Sequence, residues 1–195
     1  MNAEIELFIR ICIAIIFISS SISKYINFEK HVGIIEDYKI LPPNWSKSLG
    51  NLDFSIEFVI GILLLLGLFQ FWSGVIGSGL LLIYTIAIVI NILRGRTEIS
   101  CGCGGVMGNH NLSWKLVIRN ILLISICIVI SLNKELLFSL DAIIFRNKSL
   151  EVFGYKAWDT IFISLQSIII VLIAKEIMNI KKLFNRIILA LKIRK

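Results

Sequence analysis

The sequence predicts an all-α integral membrane protein: a four-helix transmembrane bundle, a fifth C-terminal transmembrane helix and a basic amphipathic tail. Of its 195 residues, 57% are hydrophobic and 17% are charged, and the mean hydropathy is +0.88. Soluble globular domains carry about 25% charged residues. The apolar residues also fall into separate runs, each close to the ~20 residues that cross a bilayer.

The first four runs lie in residues 1–132 and predict the bundle. They cover residues 5–23, 52–69, 73–93 and 114–132. The first run follows Glu4 and Glu6 rather than the basic residues of a signal peptide, and no small-residue cleavage site follows it. We therefore expect it to be retained as a helix.

A shorter amphipathic segment, residues 28–40, separates the first two spans. Its apolar residues recur at helical spacing, which predicts a helix lying in the membrane interface. His31 is expected on the polar face of this helix. Pro42 and Pro43 end the helix, because proline cannot continue it.

The sequence after residue 132 predicts three further segments. Residues 133–158 form a connector, residues 159–179 a fifth transmembrane helix and residues 180–195 a basic amphipathic tail. The net charge is +7, and seven of the 20 Lys and Arg residues lie between Lys175 and Lys195. We expect these cations to face anionic lipid headgroups, and we expect no nucleic acid partner.

Residues 94–113 form a polar, glycine-rich loop between the third and fourth spans. The loop contains Cys101 and Cys103 with Gly102 between them, and Gly104 and Gly105 follow. A disulfide closed across one residue is tight and easily reduced, and a glycine at the centre permits the closure. The loop therefore predicts a transferable disulfide between Cys101 and Cys103 rather than a structural one.

The alternation of the spans brings several charged residues to the membrane face that carries this loop. They are Lys24, Glu57, Arg94, Arg96 and Arg119. Cations lower the pKa of a nearby thiol, and we expect Lys24, Arg94 and Arg96 to do so here. Cys12 and Cys127 fall near the opposite face and are expected to pack as small apolar side chains.

Glu57 lies inside the second span, where an ionised carboxylate is costly unless it is paired. We expect it to pair with Lys24 or Arg119. Such a pair could stabilise the bundle, bind the carbonyl groups of a quinone or carry the protons that thiol oxidation releases.

Other interpretations of the loop stay open at this point. The two cysteines could be reduced residues of a glycine-rich turn, and the chain a non-enzymatic accessory in assembly, export or immunity. His110 with Cys101 and Cys103 could ligate a metal, but a fourth ligand is missing and we predict no metal site. We favour a thiol–disulfide redox protein that passes electrons to a quinone or a thioredoxin-like protein and acts on the thiols of a substrate protein.

Five stretches within residues 8–130 carry a family resemblance. In chain order they are IFISSSISKY, DYKILPP, FSIEFVIGILLLLGL, LRGRTEISCGCGG and LSWKLVIRNILL. Together they resemble the MauE and DoxX-like redox-associated membrane proteins. The resemblance implies a DoxX-like four-helix membrane domain over residues 1–132.

The resemblance also implies functions and positions. The MauE branch is implicated in forming disulfides in methylamine dehydrogenase, and the DoxX branch is linked to quinone-coupled sulfur oxidation. Lys24, Glu57, Arg94, Cys101 and Cys103 match recurring positions of the family. Gly104 stands where MauE-like proteins commonly have an aromatic residue, so a contact made by that residue does not carry over.

The orientation follows from two opposing arguments. With five spans, 15 of the 20 Lys and Arg residues lie on the face of the cysteines, which the positive-inside rule assigns to the cytoplasm. The cytoplasm keeps thiols reduced, however, and many of these cations belong to the tail or to the candidate site. We call residues 94–113, with Cys101 and Cys103, the CxC loop. We expect this loop on the extracytoplasmic side of a bacterial plasma membrane.

Overall fold

The computed structural model is helical throughout most of the chain it describes, which comprises residues 3–40, 42–108, 110–133, 138–141 and 154–193. Its helices are α1 (Ala3–Ile26), α2 (Phe28–Asp37), α3 (Ser46–Leu66), α4 (Gln70–Leu93), α5 (Trp114–Leu132) and α6 (Tyr155–Ile193). Short 3₁₀ turns lie at Pro43–Trp45 and Gly105–Met107. Five helical segments are long and apolar enough to cross a membrane: α1, α3, α4, α5 and Tyr155–Ala174 of α6. The predicted all-α integral membrane fold is confirmed.

The bundle is built from two closely packed helix pairs, α1 with α3 and α4 with α5. Two glycines set the distance within these pairs. A Cβ on Gly61 would lie 2.6 Å from the Ile18 side chain, and one on Gly74 would lie 2.7 Å from the carbonyl oxygen of Cys127. Helices in a membrane approach closely where such small residues face each other.

Helix α1 is the central element, since it contacts α2, α3, α5, α6 and the Gly105–Met107 turn. Its residues Ile13, Ala14 and Phe17 form one core cluster with Ile60, Leu64, Leu81, Cys127 and Ile130. Cys127 is fully buried there, as predicted, whereas Cys12 is partly exposed. Any charged side chain that α1 turns inward is therefore enclosed by the other helices.

Helix α2 forms within the segment where a helix was predicted, but one of its residues differs from expectation. His31 is only 7% exposed, and its Nε2 lies 2.9 Å from Oδ2 of Asp53 on α3. Helix α2 folds back against α3, so the prediction that His31 occupies a plain polar face is wrong. The polar face of α2 is partly an internal surface.

The C-terminal part is helical over a longer range than predicted. Helix α6 begins at Tyr155 and continues without interruption to Ile193, across the boundary placed between residues 179 and 180. The reason is that residues 155–193 contain neither glycine nor proline. Residues 134–137 and 142–153 of the connector and residues 194–195 of the tail lie outside the described residues.

A buried polar cluster ties α1 to the α3–α4 turn at the face opposite the CxC loop. We call it the Arg10 cluster, and it comprises Glu6, Arg10, Gln70 and Asp141. Glu6 Oε1 accepts a hydrogen bond of 2.6 Å from Gln70 Nε2 and lies 3.6 Å from Arg10 Nη1. Arg10 Nη2 donates to the carbonyl oxygen of Phe138 at 2.5 Å. The Asp141 carboxylate accepts hydrogen bonds from the backbone N–H groups of Phe69 and Gln70.

Candidate functional site

The CxC loop is held at its base by a short antiparallel pairing between Ser100 and Asn111. The N–H of Cys101 donates to the carbonyl oxygen of His110 at 2.8 Å, and the N–H of Leu112 donates to that of Ile99 at 3.0 Å. Cys101 therefore lies at the last fixed position before the glycine-rich part of the loop.

The glycines of the loop adopt backbone conformations that other residues rarely reach. Gly102, Gly104 and Gly105 have φ values of +68°, +56° and +53°. A Cβ on Gly105 would lie 2.5 Å from the backbone of Ser19, and one on Gly104 would lie 2.7 Å from Ser23 Oγ. The loop thus folds down directly onto the end of α1, where the Ser20 hydroxyl donates to the carbonyl oxygen of Cys103 at 2.7 Å.

Both loop cysteines are free thiols, and each contacts the other. The N–H of Cys103 lies 3.4 Å from Cys101 Sγ, and Cys103 Sγ lies 3.9 Å from the carbonyl oxygen of Cys101. Arg119, near the start of α5, donates from Nη2 to Cys103 Sγ at 3.0 Å. A guanidinium at this distance stabilises negative charge on sulfur.

These contacts separate the two thiols electrostatically. A hydrogen bond from the Cys103 thiol, together with hydrogen bonds involving the backbones of His110 and Cys103 and the charge of Arg119, lowers the pKa of Cys101 to about 5 despite its burial. The same hydrogen bond, burial and the neighbouring Cys101 raise the pKa of Cys103 well above its usual range. The direction of these shifts favours Cys101 over Cys103 as the more acidic thiol of the pair.

A cavity of about 40 Å³ lies on the inner side of Cys103, which is room for ordered water. Its polar lining residues are Ser20, Glu57, Tyr84, Cys103, Arg119 and Asn120. Its remaining wall is apolar and includes Phe17, Leu81 and Leu123. The cavity therefore joins the thiol of Cys103 to charged groups at membrane depth.

Those charged groups form a second buried cluster, the Lys24 cluster, which comprises Lys24, His31, Asp53, Glu57 and Tyr84. Lys24 is 4% exposed, and its Nζ lies 2.7 Å from both Asp53 Oδ2 and Glu57 Oε1. The Tyr84 hydroxyl bonds to both carboxylates, with Asp53 Oδ1 and Glu57 Oε1 as acceptors. Of the two partners predicted for Glu57, Lys24 or Arg119, the structure supplies Lys24.

The structure distributes the predicted cations differently from expectation. Arg119 reaches the thiol, whereas Lys24 is occupied by the two carboxylates of α3. Arg94 is exposed, with Nη1 3.4 Å from the carbonyl oxygen of Lys39. Arg96 is held through its backbone N–H by the carbonyl oxygen of Asn91. We expected Lys24, Arg94 and Arg96 to flank the thiols. In the structure, the cation that contacts a thiol is Arg119.

Three residues of the site were missed by the sequence reasoning. Asp53 stands four positions before Glu57, which places both carboxylates on one face of α3, and this spacing was a usable signal. His31 and Tyr84 gave no such signal, because their roles depend on how α2 and α4 pack against α3.

His110 belongs to the loop through its backbone rather than its imidazole. Its side chain is exposed, and its carbonyl oxygen is the acceptor for Cys101. Within the described ranges, no group of three or more His, Cys, Asp or Glu residues is placed to hold a metal ion. The geometry offers sulfur chemistry at this face.

Comparison of the sequence with known proteins identifies a matching family and several relatives. A family model described as "Methylamine utilisation protein MauE" matches residues 2–133. The MauE protein of Paracoccus denitrificans is 30% identical over 123 residues, which cover 63% of this chain and 66% of that protein. The MauE proteins of Paracoccus versutus and Methylorubrum extorquens are 27% and 29% identical over 115 and 113 residues.

The alignments to these two proteins cover 59% and 58% of this chain and 62% and 61% of the relatives. The chain thus spans just under two thirds of the length of the curated relatives it matches. No solved structure matches it.

Proposed function

The chain belongs to the MauE family of methylamine utilisation proteins, and we propose that this multi-pass membrane protein exchanges disulfides with a partner protein through Cys101 and Cys103. One observation carries the proposal. Two free thiols lie in contact in a glycine loop at the membrane face, with the Arg119 guanidinium 3.0 Å from Cys103 Sγ. A cation on one sulfur and hydrogen bonds on the other are what a reactive thiol pair requires.

The arrangement supports a two-step exchange. In the dithiol, the Cys101 thiolate attacks a disulfide of an oxidising partner, forms a mixed disulfide and releases one partner thiolate. Cys103 then loses its proton, attacks Cys101 Sγ and releases the second partner thiolate. The partner gains two electrons, and the pair becomes a disulfide. Arg119 favours the second step because it stabilises the thiolate that Cys103 must form.

The disulfide form then oxidises the thiols of a substrate protein, which completes its maturation. The regenerating oxidant is a disulfide of a thioredoxin-like protein or a membrane quinone. Glu57, Tyr84 and Arg119 present polar groups at membrane depth beside Cys103 that could bond to the carbonyl groups of a quinone, but the cavity of about 40 Å³ does not itself hold a quinone ring. We place this face on the extracytoplasmic side of a bacterial plasma membrane, since that compartment permits disulfides.

The first test measures whether the pair cycles. The purified full chain is equilibrated with oxidised or reduced dithiothreitol and then alkylated. Mass spectrometry gives the number of alkylated thiols. We expect oxidation to protect two thiols, and this protection to be lost in Cys101→Ser and Cys103→Ser. Cys12→Ser and Cys127→Ser are the matched controls and should keep it.

A pair that stays fully alkylated under every oxidising condition would contradict the redox function. That result would favour a non-enzymatic membrane accessory whose glycine loop docks a partner.

The orientation has its own test, in which a membrane-impermeant maleimide is applied to intact cells after reduction. Labelling of the loop cysteines before lysis supports the extracytoplasmic placement, and labelling only after lysis overturns it.

A further inference from the structure

A second cavity, of about 80 Å³, opens beside the CxC loop. The loop bounds it through Gly102 and Gly104, and α1 and α2 bound it through Lys24, Lys30 and His31. Two of these residues are lysines, so the cavity is suited to a group that becomes negatively charged. It differs from the inner cavity in that no apolar wall of core residues closes it.

His31 is built into this cavity in an uncommon way. It is only 7% exposed, and its Nε2 is held 2.9 Å from Asp53 Oδ2. Its Nδ1 is buried and has no hydrogen-bond partner among the described residues. A buried polar nitrogen without a partner is costly, and such atoms in native structures commonly serve a ligand or a reaction.

The unpartnered nitrogen lies next to the loop between the two cysteines. A Cβ placed on Gly102 would lie 3.8 Å from His31 Nδ1. The Asp53 carboxylate also accepts a hydrogen bond from Lys24 Nζ at 2.7 Å, which favours its ionised form. An ionised carboxylate can only accept hydrogen bonds, so the Asp53 contact favours the tautomer with its proton on Nε2, in which Nδ1 presents a lone pair to the cavity.

We propose that this cavity receives a cysteine side chain of the partner protein, and that His31 takes the proton of its thiol while Asp53 positions the imidazole. The inference rests on the proposed function, since it requires a transferable disulfide between Cys101 and Cys103. The occupant is a thiol because Gly102, which bounds the cavity, stands between Cys101 and Cys103 in the chain. A thiol must lose its proton before it attacks a disulfide.

The proton of the partner thiol moves to His31 Nδ1, and the resulting thiolate attacks one sulfur of the Cys101–Cys103 disulfide. The bond between the two loop sulfurs breaks, a bond between the partner and the attacked loop cysteine forms, and the other loop cysteine leaves as a thiolate. A second partner thiol then attacks the sulfur of the first partner cysteine and displaces the loop cysteine. The partner is left as a disulfide, and the two loop sulfurs take up the protons of the two partner thiols to give the dithiol.

The surrounding charges suit this transfer. Asp53 on α3 lies against the imidazole and stabilises the imidazolium that forms, as a carboxylate does behind a catalytic histidine. Lys24 on α1 and Lys30 on α2 line the cavity. Lys24 is paired with Asp53 and Glu57, so Lys30 is the cation expected to stabilise the thiolate. Glu57 on α3 and Tyr84 on α4 reach His31 through Asp53 and Lys24. On the loop side, Gly102 lies beside His31, and Cys101 and Cys103 are its chain neighbours.

The test uses the full chain with its CxC pair oxidised and dithiothreitol as the probe thiol. The rate of disulfide reduction is followed between about pH 6 and pH 9, because the thiolate fraction of a free thiol rises through this range. We expect His31→Gln to slow reduction about tenfold near pH 6 and to match the wild type near pH 9, where the probe ionises without help. Glutamine keeps a donor for Asp53 but cannot accept the proton.

His110→Gln is the matched control, since it removes the exposed imidazole of the same face and should leave the rate profile unchanged. Circular dichroism confirms that each variant keeps the helical fold. A merely structural role for His31 would lower the rate by the same factor at every pH, and that result, or an unchanged profile, overturns the inference. Failure of the proposed function shows itself separately, as a wild-type pair that never forms a disulfide.

Discussion

Helix α1 carries two buried charged clusters, one near each end, and they have different partners. The Arg10 cluster bonds mainly to backbone, at the carbonyl oxygen of Phe138 and through Asp141 to the N–H groups of the α3–α4 turn. The Lys24 cluster is joined through side chains alone and lies beside two cavities and two thiols. Burial of charge is common to both clusters, so burial by itself does not mark the site.

The two clusters also differ in what they connect. The Arg10 cluster fastens a tight turn: a Cβ on Gly67 would lie 2.9 Å from Ser139 and 3.1 Å from the Arg10 guanidinium. The Lys24 cluster instead leads, through Tyr84 and Asp53, from the inner cavity to His31 at the outer one. We interpret the first as a clamp and the second as part of the reactive site.

The largest expected effect tests this assignment by removing each central cation. Arg10→Met and Lys24→Met each leave a carboxylate buried without that cation, which costs about 3–5 kcal/mol of unfolding free energy. Denaturant titration in detergent, followed by circular dichroism, measures this loss. Only Lys24 lines the cavity beside the loop, so reduction of the CxC disulfide by dithiothreitol should slow in folded Lys24→Met and not in Arg10→Met. Equal rates in both variants would remove the distinction between the clusters.

A smaller effect is expected where the loop rests on α1. Gly105→Ala places a methyl group 2.5 Å from the Ser19 backbone at a φ of +53°, and such overpacking costs about 1–3 kcal/mol. Gly95→Ala is the matched control, because its φ is +72° but no atom lies within 4 Å of the new Cβ. Thermal unfolding compares the two variants. If Gly95→Ala proves as destabilising as Gly105→Ala, backbone strain rather than contact with α1 explains the loss.

The next effect concerns the thiol rather than the fold. Cys103→Ala removes the hydrogen bond that contributes most to the low pKa of Cys101, about 5. The pKa should rise, the thiolate fraction near pH 6 should fall, and alkylation of Cys101 by iodoacetamide should slow about tenfold.

Cys103→Ser is the control for that measurement, because a hydroxyl still donates to the Cys101 sulfur. Its alkylation rate near pH 6 should stay closer to that of the wild type. If alanine and serine slow the reaction equally, the hydrogen bond is not the cause of the reactivity of Cys101.

The smallest effect comes from single hydroxyl groups, one in the Lys24 cluster and one beside the Arg10 cluster. Tyr84→Phe and Ser139→Ala each remove one buried hydrogen-bonding hydroxyl, and each should cost about 1 kcal/mol of unfolding free energy. Only Tyr84→Phe should also change the rate of disulfide exchange, since Ser139 bonds to Gly67 in the clamp. A change in exchange rate for Ser139→Ala would show that the two faces are coupled.

Much of the fold was predictable because helices that span a bilayer can be recognised in the sequence by their length and apolar content. The pairing of Lys24 with Glu57 was also predictable, since the alternation of spans places them on one face and a buried carboxylate needs a cation. The choice of Arg119 as the cation at Cys103 was not, because it depends on how far the loop folds down, which the contacts of Gly104 and Gly105 with α1 determine.

His31 and the Arg10 cluster were missed for a related reason. A short amphipathic helix looks the same in sequence whether its polar side faces water or the buried end of another helix. Glu6 was used only as evidence against a signal peptide and Arg10 was not considered as a buried charge, although their spacing of four already allowed an ion pair on one helical face. Which face of a helix is enclosed follows from tertiary packing, and a single sequence contains little of that information.

The central claim is that Cys101 and Cys103 form a disulfide that the protein transfers. The most direct measurement is the redox state of the pair in the cell, trapped by acid quenching, alkylated and read by mass spectrometry of the loop peptide. We expect a substantial fraction with a Cys101–Cys103 disulfide, which dithiothreitol reduces to two thiols that can then be alkylated. A pair that is fully alkylated in the trapped cells, and stays so after exposure to an oxidising disulfide, would contradict it.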